Sequence, residues 1–158
     1  MSRWGGDRTY WWFSGPGAWR PTVVQVSSAF VADPDLIEQL EKRAEPVAFG
    51  RDRVLFHQGD APKGVYILRR GSAILTNMSD GDALLSVEAG PGSLLGVPAV
   101  VGSKPYSLTA EAVDGAEVSV LACDDFVHLM NTEPTLSFRV LQVLAEEVRF
   151  AREALAQL

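Results

Sequence analysis

The feature that most constrains this chain is a change of texture at Pro46. From there to Ala122 the sequence is cut into short apolar runs, each stopped within a few residues by Gly, Asp or Pro. Runs of this length are short for helices and suit strands, and the stopping residues are those that tolerate positive φ or preset a reversal. The predicted strands are residues 47–49, 54–57, 65–70, 72–78, 83–88, 106–113 and 116–122, with turns at Gly59-Asp60, Gly71, Asp80-Gly81, Gly90-Pro91-Gly92 and Asp114-Gly115. Many short strands at this spacing predict an antiparallel sandwich or barrel. Alternation agrees in two runs: Leu85, Val87 and Ala89 fall opposite Leu84, Ser86 and Glu88, and Val118 and Val120 fall opposite Glu117, Ser119 and Leu121.

Helical signals flank the strands. Asp33-Pro34 reads as an N-cap with proline at the first helical position, followed by Leu36, Ile37 and Leu40 on one stripe. After Ala122 the period becomes helical: Asp124 is placed to cap a short helix carrying Phe126, Leu129 and Met130, and Pro134 opens a longer one. On that helix Leu141, Leu144, Val148, Ala151, Leu155 and Leu158 recur in alternating steps of three and four, an a/d seam. Two arrangements use such a seam: pairing with a second copy, or packing back on the chain's own barrel. Its narrow 3.5-residue period favours pairing. A homodimer is therefore expected, with a second set, Leu136, Val140 and Val143, facing the barrel.

The fixed pattern Val54-Leu55-Phe56-His57-Gln58-Gly59-Asp60, then Gly64-Val65-Tyr66-Ile67-Leu68 and Gly71, resembles the opening strands of the cyclic-nucleotide-binding domain family of catabolite-activator and FNR type. Gly90-Pro91-Gly92-Ser93-Leu94-Leu95-Gly96 looks like that family's approach to its ligand cassette. The resemblance spans residues 33–158. It implies a mainly β fold with flanking helices: an antiparallel jelly-roll barrel (double-stranded β-helix) plus a long C-terminal helix. The implied function is non-enzymatic sensing of a small-molecule effector in signal transduction. Independently of the name, Gly59, Gly64 and Gly71 stand where turns need positive φ or close backbone approach.

Carried over by position, the candidate cassette begins with Gly96, Val97, Pro98 and Ala99 and ends with Tyr106, Ser107, Leu108 and Thr109. Members of the family that bind cyclic nucleotides follow the second glycine with Glu, for the ribose, and pair the cyclic phosphate with an Arg near the far end. Here Val97 follows Gly96, the Arg position falls on Tyr106 or Ser107, and Lys104 is the only cation nearby. Loss of one partner from a buried charge pair costs about 2–5 kcal/mol. Two readings stand: a pocket retuned to another ligand, or a ligand-free dimerisation and protein-interaction module.

The remaining composition closes off other classes. With 158 residues the chain suits one domain. Its formal net charge is −6, and residues 1–22 are net positive, so the body is more acidic still, unlike a general nucleic-acid surface. In this family a helix-turn-helix module follows the long helix and would need several dozen residues beyond Leu158, so no direct DNA binding is expected. A metal-dependent cupin-like enzyme needs clustered His and Glu ligands, whereas His57 and His128 are isolated; no metal, cofactor or catalytic residue is expected. Haem sensing would need an axial His or Cys in the pocket. Cys123 is the single cysteine and reads as a small buried hydrophobe in a reducing compartment. No apolar run has membrane-spanning length, so a cytoplasmic protein is expected. Residues 1–22 form a separate leader ahead of a 23–158 domain: all four tryptophans lie there, interrupted by Gly and Pro, and no regular element is expected. A disordered leader, an upstream start and an aromatic interaction arm all fit that composition.

Overall fold

The computed structural model describes residues 7–10 and 22–156; for residues 7–10, 22–26 and 84 it describes the backbone alone. In chain order the elements are β1 (Asp7–Tyr10), β2 (Thr22–Ser27), α1 (Pro34–Glu41), β3 (Glu45–Pro46), β4 (Val54–Phe56), β5 (Gly64–Arg70), β6 (Ala73–Ser79) and β7 (Asp82–Ala89). There follow β8 (Leu94–Leu95), α2 (Val97–Gly102), β9 (Thr109–Ala112), β10 (Glu117–Ala122), α3 (Cys123–Thr132) and α4 (Pro134–Leu155). Two sheets result, ordered β1-β2-β7-β6-β9-β4 and β3-β10-β5-β8. The β2–β7 pair is parallel, and the other ladders are antiparallel. The expected jelly-roll is thus present as two sheets over a shared core rather than as one continuously hydrogen-bonded cylinder.

Strand β5 shows how the sequence builds two cores. Its run Val65-Tyr66-Ile67-Leu68 is apolar at every position because both faces are covered. Tyr66 and Leu68 join Leu75, Val87, Leu95 and Val118 between the sheets. Val65 and Ile67 point the other way, into a cluster with Leu36, Leu40, Phe126 and Val140 from the helices. At the start of β5, a Cβ on Gly64 would collide with the carbonyl oxygen of Leu121 on β10, so only glycine lets the strands close there.

Several boundaries differ from the sequence expectation, each for a local reason. Helix α1 is capped as expected: Asp33 accepts from the Asp35 amide at 2.8 Å, with Pro34 at the first helical position. Asp124 does not cap α3. The N-cap is Ala122, and Asp124 with Asp125 sits in the first turn, where carboxylates complement the helix dipole. Residues 106–108 leave the β9 ladder because the Tyr106 amide donates to Asp60 O instead, at 2.9 Å. Strand β3 falls at Glu45–Pro46, an edge position where proline is tolerated, and Val47 still donates to Val118 O. Strand β1 lies within the segment from which no regular element was expected: its backbone pairs with β2 at the edge of the larger sheet. Thr22 opens β2, and the rest of that segment lies outside the described residues. The sequence reading also passed over β2, β8 and α2.

Helix α4 carries two opposed stripes. Leu136, Val140, Val143, Glu147, Phe150 and Ala154 recur in steps of four and three and face the body: Leu136, Val140 and Val143 are buried in the helical cluster, Phe150 in the inter-sheet core. On the other side Phe138 (62% exposed), Leu141 (57%), Val148 (48%) and Leu155 (68%) stand open. At 100° per residue the two stripes lie about 150° apart. Of the seam drawn from sequence, Leu141, Val148, Ala151 and Leu155 are exposed. Leu144 is half-buried against the chain's own helical cluster, Leu158 lies outside the described residues, and Phe138 joins the open face. The second set, Leu136, Val140 and Val143, faces the body as expected.

Candidate functional site

Tyr106 determines the shape of the site. It is 3% exposed, and its ring stacks on Phe56 with centroids 3.8 Å apart and planes 18° apart. The hydroxyl donates to Gly64 O at 2.8 Å and accepts from the amides of Lys63 at 3.0 Å and Gly64 at 3.3 Å. A phenol has one proton and two lone pairs, so this hydroxyl has no capacity left for a ligand. Burial pushes its pKa up, against the lowering effect of the Gly64 and Lys63 contacts, so it stays a neutral phenol. The ring edge passes so close to Gly96 that a Cβ there would lie 2.8 Å from the ring. Gly96 itself, at φ +89°, is the N-cap of α2. Tyr106 therefore fills the space between the start of α2 and the start of β5.

Beside the ring lies a cavity of about 30 Å³ within a cleft of about 330 Å³ counting its open mouth. Phe30, Phe56, Leu75 and Leu95 form its sheet-side wall, and Gly96, Pro98, Ala99, Tyr106, Ser107 and Leu108 come from the cassette. Helix α4 supplies one residue, Glu147. Its Oε2 is buried without a hydrogen-bond partner, and burial pushes its pKa up to about 8. No lysine or arginine lines the cavity among the described residues.

The cassette drawn from sequence is thus brought together at six positions and not at two. Val97 is fully buried in the helical cluster, pointing away from the cavity. The Thr109 hydroxyl accepts from the Gln58 amide at 2.9 Å, tying β9 to the β4 turn. Lys104 is exposed beyond α2, whose end is closed by Ser103 at φ 52°. Cys123 is half-buried, its thiol donating to Pro62 O at 3.3 Å, and burial raises its pKa, which keeps it a thiol. A separate groove of about 280 Å³ is lined by Arg43, Lys63, Glu45 and Asp125, whose charges cancel. Among the described residues no group of three or more His, Cys, Asp or Glu is placed to hold a metal.

With this geometry in place, residues 46–133 match the family model described as cyclic nucleotide-binding domain. The chain belongs to the cyclic nucleotide-binding domain family. It is 25% identical over 127 residues to the CRP-like cAMP-activated global transcriptional regulator of Mycobacterium tuberculosis, covering 80% of this chain and 57% of the regulator. It is 24% identical over 117 residues to lysophospholipase NTE1 of Chaetomium globosum, covering 73% of this chain and 8% of that enzyme. Among solved structures it superposes on the Thermus thermophilus catabolite activator protein with a TM-score of 0.65 at 23% identity, over 79% of this chain and 59% of that one. The chain thus spans about half the length of the regulators it matches.

Within this family frame, sequence reasoning missed Glu147. The signal was present: continuing the steps of four and three from Leu136, Val140 and Val143 lands on Glu147, then Phe150. A carboxylate at a body-facing position of an apolar stripe is the anomaly that marks the site. The hydroxyl of Tyr106 makes a separate, measurable contribution. Tyr106→Phe keeps the stacked ring and strips partners from Gly64 O and two amides, a loss of about 2–3 kcal/mol in denaturant unfolding. A change below about 0.5 kcal/mol would mean that those backbone groups find other partners.

Proposed function

We propose that this chain is a non-enzymatic regulatory domain in which a small-molecule effector, held under α4, biases how α4 packs, while α4 pairs with a second copy. The observation that carries this reading is the division of α4 into a face that closes the cavity with Glu147 and a bare apolar face from Phe138 to Leu155. The cyclic AMP named for the M. tuberculosis relative is not the effector we infer here. The Tyr106 ring stands over Gly96, and the cavity lining holds no cation to pair with a phosphate. The missing charge pair corresponds to roughly 30-fold to several-thousand-fold in affinity. Titration calorimetry with cyclic AMP is expected to give no binding at micromolar concentrations. Sub-micromolar affinity would overturn the degenerate cassette.

A second reading draws on the cavity's size. About 30 Å³ holds one or two waters, not a nucleotide. That favours a ligand-free dimerisation module in which the barrel is kept for assembly. Thermal shift against cyclic mono- and dinucleotides and a broad set of small molecules separates the two. Under both readings the domain itself does not grip DNA, because its net charge is −6. No helix among the described residues is long and apolar enough to cross a membrane. We place its action in the cytoplasm, where Cys123 stays reduced.

A further inference from the structure

Glu147 is costly where it stands. Positions 136, 140, 143, 150 and 154 of the same stripe are apolar, and a Leu or Val at 147 would suit the packing. Its Oε2 instead lies buried without a partner against a cavity whose other walls are aromatic or aliphatic. The second polar group there, the Tyr106 hydroxyl, is saturated by backbone, and Ser107 is exposed at the rim. A polar group held in place against packing and left unsatisfied marks a functional position.

We propose that the cavity under α4 takes a small organic cation, an aryl or alkyl amine or amidine, with Glu147 as its counter-ion. This deepens the effector reading above and rests on it. The cationic head fits the enclosed part beside Glu147, and the apolar remainder lies in the open cleft against Phe30, Phe56 and Leu95. Phe30, Phe56 and Tyr106 also line the cavity, and an aromatic ring with a free face attracts a cation. An anionic ligand meets a carboxylate and no compensating charge. A neutral one leaves Glu147 its proton and gains no ion pair. Of the titratable groups, Tyr106 shares the cavity wall, while Glu146, Arg149 and Glu153, on the flanks of α4, line a separate groove with Ser27 and Ser28.

The test is calorimetry on the full chain at pH 7 with benzylamine, benzyl alcohol and benzoate, for the parent and Glu147→Gln. The expected result is benzylamine binding at least tenfold tighter than the other two, with that preference lost in Glu147→Gln. Because Glu147 is largely protonated at pH 7, each bound ammonium should release close to one proton, read from buffers of different ionisation heat. That readout needs no variant. Benzyl alcohol or benzoate binding as tightly as benzylamine would overturn the charge assignment and leave the effector pocket standing. So would benzylamine binding unchanged in Glu147→Gln or without proton release. No binding of any of the three at millimolar concentration would overturn the effector pocket itself.

Discussion

Raising the pH from 6 to 9 is expected to lower the melting temperature of this protein by about 4–8 °C, and Glu147→Gln is expected to abolish most of that loss. The sign follows from the direction of the shift. Burial lifts the carboxyl from its ordinary 4.5 to about 8, so between those values the folded state holds a proton that the unfolded state has released. Stability from this group is complete below about pH 4.5, declines as pH rises, and is gone above about 8. Across pH 6 to 8 the slope is at most about 1.4 kcal/mol per unit. Discounted for the part of the carboxyl that reaches solvent, this gives about 2 kcal/mol. Tyr66, Tyr106 and Cys123 are all pushed upward by burial from ordinary values of 9 to 10, so they titrate above this window. A melting temperature flat from pH 6 to 9, or a Gln variant that tracks the parent, would place Glu147 in water.

The second large effect concerns assembly. Val148→Asp should convert a dimer into a folded monomer, seen by light scattering at tens of micromolar. Val148 is 48% exposed, between Leu141 and Leu155 on the bare side of α4, so the isolated subunit loses little by carrying a charge there. Across a two-fold interface the same substitution sets two carboxylates against each other, and burying unpaired charge costs several kcal/mol. Val143→Asp is the contrasting control: Val143 is buried in the helical cluster, so a charge there should unfold the subunit. A parent already monomeric at that concentration would mean that the exposed stripe serves something other than a second copy.

What could be read from sequence was what local chemistry decides. The Asp33-Pro34 cap, the turns at Gly59 and Gly71 with their positive φ, and the opening of α4 at Pro134 are each written in two or three adjacent residues. Elements that exist only through pairing were missed. Strand β8 is two residues, Leu94–Leu95, and is a strand because β5 lies alongside it. Strand β2 was passed over although five of its six residues lie beyond the leader, because its parallel partner β7 is distant in sequence. At the site, the missing Glu and Arg of the family cassette were legible. The Tyr106 ring closing over Gly96 was not, because its hydroxyl is held by backbone more than forty residues away. The open stripe of α4 was read partly out of register: Leu144 packs on the chain's own helical cluster, and Phe138, outside the heptad, stands exposed.

Glu147 and Val148 are neighbours in the chain. One closes a cavity in the subunit; the other stands on the exposed apolar face, about 100° further round the same helix. A helix turns as a rod, so a ligand that rotates α4 at Glu147 swings Val148 through the same arc. At a side-chain radius of about 5 Å, a twist of about 10° displaces the outer atoms by nearly 1 Å. Close-packed apolar contacts do not absorb a shift of that size. Any message passing between pocket and partner would need to cross a single peptide bond.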